Sequence, residues 1–72
     1  MIDNFKLLDV VALTEDLPKQ SLFRGNVGTI VESLGPGVFE VEFVDNDGQT
    51  YAEIALRAEQ LILLRHEPAT AA

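Results

Sequence analysis

Two turn signals, Gly35-Pro36-Gly37 and Asp45-Asn46-Asp47-Gly48, bracket a segment that alternates apolar and acidic side chains, Val38-Phe39-Glu40-Val41-Glu42-Phe43-Val44. Glycine with Pro, Asn or Asp reverses an extended chain, and alternation with period two marks a half-buried strand. The middle of this chain is therefore expected to fold as an antiparallel meander, and its register can be written down. A loop of Gly35 to Gly37 sets Leu34 against Val38, Ser33 against Phe39, Val31 against Val41 and Thr29 against Phe43. A loop of Asp45 to Gly48 sets Val44 against Gln49, Phe43 against Thr50, Val41 against Ala52 and Phe39 against Ile54. One face then reads Val31–Val41–Ala52 and Ser33–Phe39–Ile54, which is a core. Because successive side chains point to opposite faces, the other face reads Glu32–Glu40–Glu53 and Ile30–Glu42–Tyr51. A tighter Asp47-Gly48 turn would set Glu42 opposite Glu53 instead, so an acid pair survives either register.

The flanking segments complete an all-β pattern of five strands. Leu7 to Leu13 is expected as the first, followed by a long loop from Thr14 to Gly25 in which Pro18 stops any helix begun at Thr14. Leu17, Leu22 and Phe23 are apolar inside this loop and should fold it back onto the body. Asn26 to Leu34 forms the second strand and Gln49 to Leu56 the fourth. Arg57 to Gln60 reads as a short helical turn before a last strand, Leu61 to Arg65. Residues 1–65 make a single domain and residues 66–72 a flexible tail. Gly28 suits a bulge or a close backbone approach inside a strand, and a bulge there would take Ile30 out of the acidic face.

Most side-chain chemistry is excluded by what the chain lacks. Among 72 residues there is no cysteine and a single histidine, His66, which stands in the tail without a partner. That rules out a thiolate nucleophile or zinc-thiolate site, and no phosphate loop or dinucleotide fingerprint is present. Aligning Gly48 with the glycine of a calcium loop puts Phe43 and Ile54 at ligand positions, so Asp45 to Gly48 reads as a turn. No catalytic residue, metal or cofactor is expected. With five basic residues against twelve acidic ones the net charge is −7, which disfavours nucleic acid and anionic membranes. No apolar run is long enough to cross a bilayer or to serve as a leader, which leaves the cytoplasm as the expected compartment.

Three surfaces remain as candidates. From Gly25 to Leu56 there are six acids and no Lys or Arg. Like charges directly opposite on a sheet repel, so Glu32, Glu40, Glu42 and Glu53, with Tyr51 and Ile30 as an apolar centre, suggest a face that docks a basic protein partner. Surface acid also keeps a small protein soluble and discourages edge pairing. The second candidate is the long loop with Leu22, Phe23 and Arg24. The third is Leu61 to Leu64, which is apolar on both faces. One face can enter the core, and the other needs cover from Met1, Ile2 and Phe5 or from a homodimer contact through Ile62 and Leu64.

The order of elements, with the Gly25-Asn26-Val27-Gly28-Thr29-Ile30-Val31 strand, resembles the SH3-like small barrels, including KOW-type domains and the extrinsic barrel subunit of photosystem I. More closely, the chain resembles a family of short bacterial proteins of unknown function. The likeness is carried by Leu8 to Leu13, Glu15 to Pro18, Gly25 to Val31, Val38 to Phe43 and Leu56 to Leu61. It implies a free-standing five-stranded barrel that accompanies another protein, in the manner of an antitoxin or immunity partner, or a KOW-like module inside a nucleic-acid complex. Two departures matter. Peptide-binding SH3 domains line their groove with aromatic residues including Trp, and here there is no Trp and one Tyr. Nucleic-acid binders need a basic face, and here only Lys19 and Arg24 flank the long loop.

Overall fold

The computed structural model describes residues 5–64. Five strands, β1 (Val10–Leu13), β2 (Val27–Gly35), β3 (Val38–Val44), β4 (Thr50–Arg57) and β5 (Leu61–Leu63), form one antiparallel sheet in the order β4-β3-β2-β1-β5. Two 3₁₀ turns, Pro18–Gln20 and Ala58–Gln60, complete the described elements. The chain is all-β, as its patterning requires. Residues 66–72, expected as a tail, lie outside the described residues, as do Met1 and Ile2.

The connection from β4 to β5 dictates the shape of the sheet. These strands occupy opposite edges, which in a flat five-stranded sheet would lie roughly 19 Å apart at ~4.8 Å per strand. The link between them is the 3₁₀ turn Ala58–Gln60, which rises only about 6 Å at ~2 Å per residue. The sheet must therefore roll until the end of β4 meets the start of β5. Gln60 fastens this closure. Its side chain is buried, accepts the Arg57 N–H at 2.9 Å and donates to Glu15 at 3.0 Å. Its backbone carbonyl accepts the Thr14 N–H at 3.0 Å, and Ala58 donates its N–H to Gly37 at 2.9 Å. The turn is thus bonded to the end of β1 and to the β2–β3 hairpin at once.

Rolling encloses a core of Val11, Leu13, Leu22, Ile30, Phe39, Val41, Phe43, Leu56 and Leu61. Phe5 closes it edge-on against Phe39, with ring centroids 5.6 Å apart. Gly28 lets the core close-pack. A Cβ there would stand 2.7 Å from Val41 Cγ1 and 2.9 Å from the Phe43 ring. Of the two roles the sequence allows for Gly28, close approach is the one the structure uses.

Bulges correct the expected register at three places. Gly35 pairs with Val38, and Leu34 is the extra residue that restores Ser33 opposite Phe39. A second bulge at Val31 sets Ile30 against Val41, so Ile30 enters the core and Val31 leaves it. In the second hairpin a three-residue loop follows Asp45, whose N–H bonds Gln49, with Gly48 at φ +78°. This is the type I turn with a glycine bulge favoured by loops of that length. Tyr51 is then the extra residue between Val44↔Thr50 and Phe43↔Ala52. Each bulge bends and twists its strand, which is what a rolled sheet demands.

The first strand also starts later than its apolar run suggests. Asp9 Oδ2 accepts the Lys6 N–H at 2.8 Å and the Asp9 N–H bonds Lys6 at 3.1 Å, so Leu7 and Leu8 form a turn. Pro18 begins a 3₁₀ turn rather than ending a helix, its missing N–H being harmless at that position.

Gly28→Ala should lower stability by about 1–3 kcal/mol, the range for an over-packed core position. A urea midpoint unchanged from the parent would contradict the packing described for Gly28.

Candidate functional site

The outer face of β2, β3 and β4 gathers the acids. Phe39, Val41 and Phe43 point inward, so alternation sends Glu40 and Glu42 outward. Glu32 lies opposite Glu40, and Glu42 lies opposite Glu53. The face therefore carries two cross-strand glutamate pairs, Glu32–Glu40 and Glu42–Glu53. The expected single row Glu32–Glu40–Glu53 is replaced because the three-residue loop and the Tyr51 bulge each shift β4 by one residue, which moves Glu53 from Glu40 to Glu42, the register that a tighter turn would have given. Ala55 takes the place opposite Glu40, and Thr29 the place beside Glu42.

Little positive charge reaches these carboxylates. Thr50 Oγ1 donates to Glu42 Oε2 at 2.6 Å. Arg57 lies opposite Val38 on the same face, yet its Nε is bonded to Glu59 Oε2 at 2.8 Å. Among the described residues that is the sole ion pair. The Arg57 hydrogen bond, assisted by a backbone hydrogen bond, holds the Glu59 carboxyl below the usual range. Both side chains are well exposed, so the pair adds little stability. It does divert a cation that stands on this face.

The apolar centre proposed for this face does not form. Ile30 is fully buried by the Val31 bulge. Tyr51 is exposed, but its bulge places its ring 6.4 Å from the core residue Phe43.

The long loop divides similarly. Leu22 is fully buried, and Leu17 and Leu22 exchange backbone hydrogen bonds of 2.8 and 3.2 Å. Leu22 therefore anchors the loop and cannot serve as a surface contact, which corrects its place among the docking residues. Phe23 and Arg24 remain exposed. The Arg24 backbone N–H bonds Asp16 Oδ1 at 2.8 Å, which ties the two ends of the loop together.

At the last strand Leu61 is buried, Leu63 and Leu64 are half-buried, and Ile62 is 55% exposed. Phe5, one of the residues expected to cover that surface, packs edge-on against Phe39, and Met1 and Ile2 lie outside the described residues. Asp45 Oδ1 accepts the N–H groups of Asp47 and Gln49 at 2.9 and 3.0 Å, so its carboxylate organises the turn.

Leu7 and Leu8 were not legible as a surface feature. Both are largely exposed, and Leu8 adopts φ 71°, which is strained for a residue with a Cβ. The one available signal was Asp9, a residue that competes for local N–H groups and so interrupts strands. Among the described residues no three of His, Cys, Asp and Glu are grouped to hold a metal, and no helix is long and apolar enough to cross a membrane.

Fold and surface together define a small all-β domain with a rolled five-stranded sheet and an acidic outer face. The chain belongs to the family described as Domain of unknown function (DUF4926), whose pattern matches residues 7–63. No curated protein and no solved structure matches it.

The double change Glu40→Gln and Glu53→Gln breaks both glutamate pairs. Stability should hold or rise by about 0.2–1 kcal/mol per pair, the size of a cross-strand charge term. The gain should shrink as salt is added. A lowered melting midpoint would contradict the pairing.

Proposed function

We propose that this domain is a non-catalytic, cytoplasmic protein-interaction module of SH3-like architecture, and that it docks a basic protein partner through the outer face of β2, β3 and β4. One observation carries the reading: two like-charge pairs face each other across adjacent strands, and the nearby Arg57 is engaged by Glu59. A basic partner would relieve that repulsion on binding, so part of the electrostatic gain is stored in the free protein. The strand order, with a single 3₁₀ turn between β4 and β5, supports the SH3-like assignment. The nucleic-acid reading has less support, because the long loop carries only Lys19 and Arg24 as cations and shares them with Glu15 and Asp16.

The test is a paired capture from host lysate, using the parent protein and the Glu40→Gln/Glu53→Gln variant as baits at low and high salt. The expected result is a basic protein retained by the parent at low salt, weakened by the variant, and released as salt approaches about 1 M, where screening acts over ~3 Å. A partner held equally by both baits at every salt concentration would overturn the acidic-face reading.

A further inference from the structure

The open edge of β4 gives the proposed partner a shape. The strand runs from Thr50 to Arg57, pairs with β3 on one side and forms the edge of the sheet on the other. Which residues present free backbone groups follows from the ladder. The Ala58 N–H bonds the Gly37 carbonyl, one step beyond the Arg57↔Val38 pair. Hydrogen-bonded and non-bonded pairs alternate in an antiparallel ladder. Leu56, Ile54 and Ala52 therefore direct their backbone groups to β3, whereas Arg57, Ala55 and Glu53 direct theirs to the edge. The Arg57 N–H agrees, since it turns away from β3 to Gln60 Oε1. Glu53 and Ala55 are left as the docking rungs.

Side chains flanking these rungs are graded by charge. On the outer side stand Glu53, with Glu42 behind it, and the small Ala55, with Glu40 and Glu32 behind it. On the inner side Ile54 is half-buried against the core and Tyr51 is 47% exposed. The edge is thus acidic on one side and apolar on the other.

We propose that β4 accepts an extended segment of the basic partner as a sixth antiparallel strand, alternating Lys or Arg with apolar residues. The inference rests on the acidic-face reading and specifies its occupant. A lysine opposite Glu53 meets its carboxylate directly, and a lysine opposite Ala55 passes over the methyl group toward Glu40. The intervening apolar side chains cover Ile54. Backbone pairing supplies affinity and alternate side chains supply selectivity, as in other strand-addition complexes. A second copy of this chain is the poorer occupant, because it would extend one acidic face with another and each copy carries a net charge of −7.

The experiment uses the full chain and a short capped peptide alternating lysine and valine, followed by amide hydrogen exchange and nuclear magnetic resonance titration. In the free protein the Glu53 and Ala55 amides should exchange fast and those of Ala52, Ile54 and Leu56 slowly. Saturating peptide should slow Glu53 and Ala55 at least about tenfold, as newly bonded amides require. Residues opposite Glu53 and Ala55 in the added strand are the lysines, so N-methylation of the lysine amides should abolish binding and N-methylation of the valine amides should not. Ala55→Pro should also abolish binding. It removes an N–H that β3 does not use, and proline is tolerated at such edge positions. Where that variant does not fold, the methylated peptides decide.

Binding that depends on salt and on Glu40 and Glu53, but not on which amides are methylated, would overturn the strand while leaving the acidic face in place. Binding indifferent to salt and to both glutamates would overturn both. Peptide that leaves the Glu53 and Ala55 amides unchanged would overturn the strand. So would their slow exchange in the free protein together with dimers in sedimentation, which would give the edge to a second copy.

Discussion

A three-residue turn joining the two outermost strands is the constraint on which the rest of this domain depends. A chain that leaves β4 at Arg57 and enters β5 at Leu61 cannot keep its sheet flat. Closing the roll creates the interior that Phe39, Phe43, Leu56 and Leu61 fill, and it brings the polar turn against the ends of β1 and the β2–β3 hairpin. Buried polar atoms are costly unless bonded. Gln60 meets that condition with an acceptor oxygen on Arg57 and a donor nitrogen on Glu15. No buried side-chain polar atom among the described residues lacks a partner. Burial around Gln60 and burial of the core are therefore one event.

How much of this was legible in the sequence divides along a physical line. Local signals sufficed for β3, whose bounds follow from Gly37 and Asp45, and for the outward set of Glu40 and Glu42, because alternation is a property of the strand itself. The bulges at Val31, Leu34 and Tyr51 were not legible. They answer to the curvature of the closed sheet, a tertiary demand that short windows do not carry. Their effect is large for single residues, since one extra residue moves a side chain to the other face. That is why Ile30 is core and Val31 is not, and why Tyr51 lies beside Phe43. Leu22 shows the complement: an apolar residue in a long loop was seen correctly as folding back, and complete burial removes it from any surface role. Leu7 and Leu8 failed for another reason. Their apolar character suggests a strand, but the Asp9 carboxylate captures the Lys6 N–H and imposes a turn.

Electrostatics on the outer face follow from the same geometry. Repulsion of about 0.2–1 kcal/mol per pair is small beside any single core side chain. It is a sizeable share of the net stability available to a domain of this length. The three-residue loop and the Tyr51 bulge together turn what would have been one row of three acids into two separate pairs, so each strand boundary carries one repulsive contact. Thr50 shields Glu42 with a hydrogen bond, and Arg57, a basic side chain on this face, is engaged by Glu59. The face is left negative.

An exposed edge beside such a face is a template for pairing with another strand. Natural edges are protected by short strands, charge, proline or bulges. Here the two edges are treated differently. β5 is only three residues long and gives little ladder to extend. β4 is longer, and its bulge at Tyr51 lies near one end, leaving Ala52 to Arg57 regular. Its protection is therefore the charge of Glu53 and of the acids behind it, which acts through sign rather than through shape. Shape excludes every strand alike. Charge disfavours an acidic strand and favours a basic one, so the glutamates beside the edge bias what it can accept.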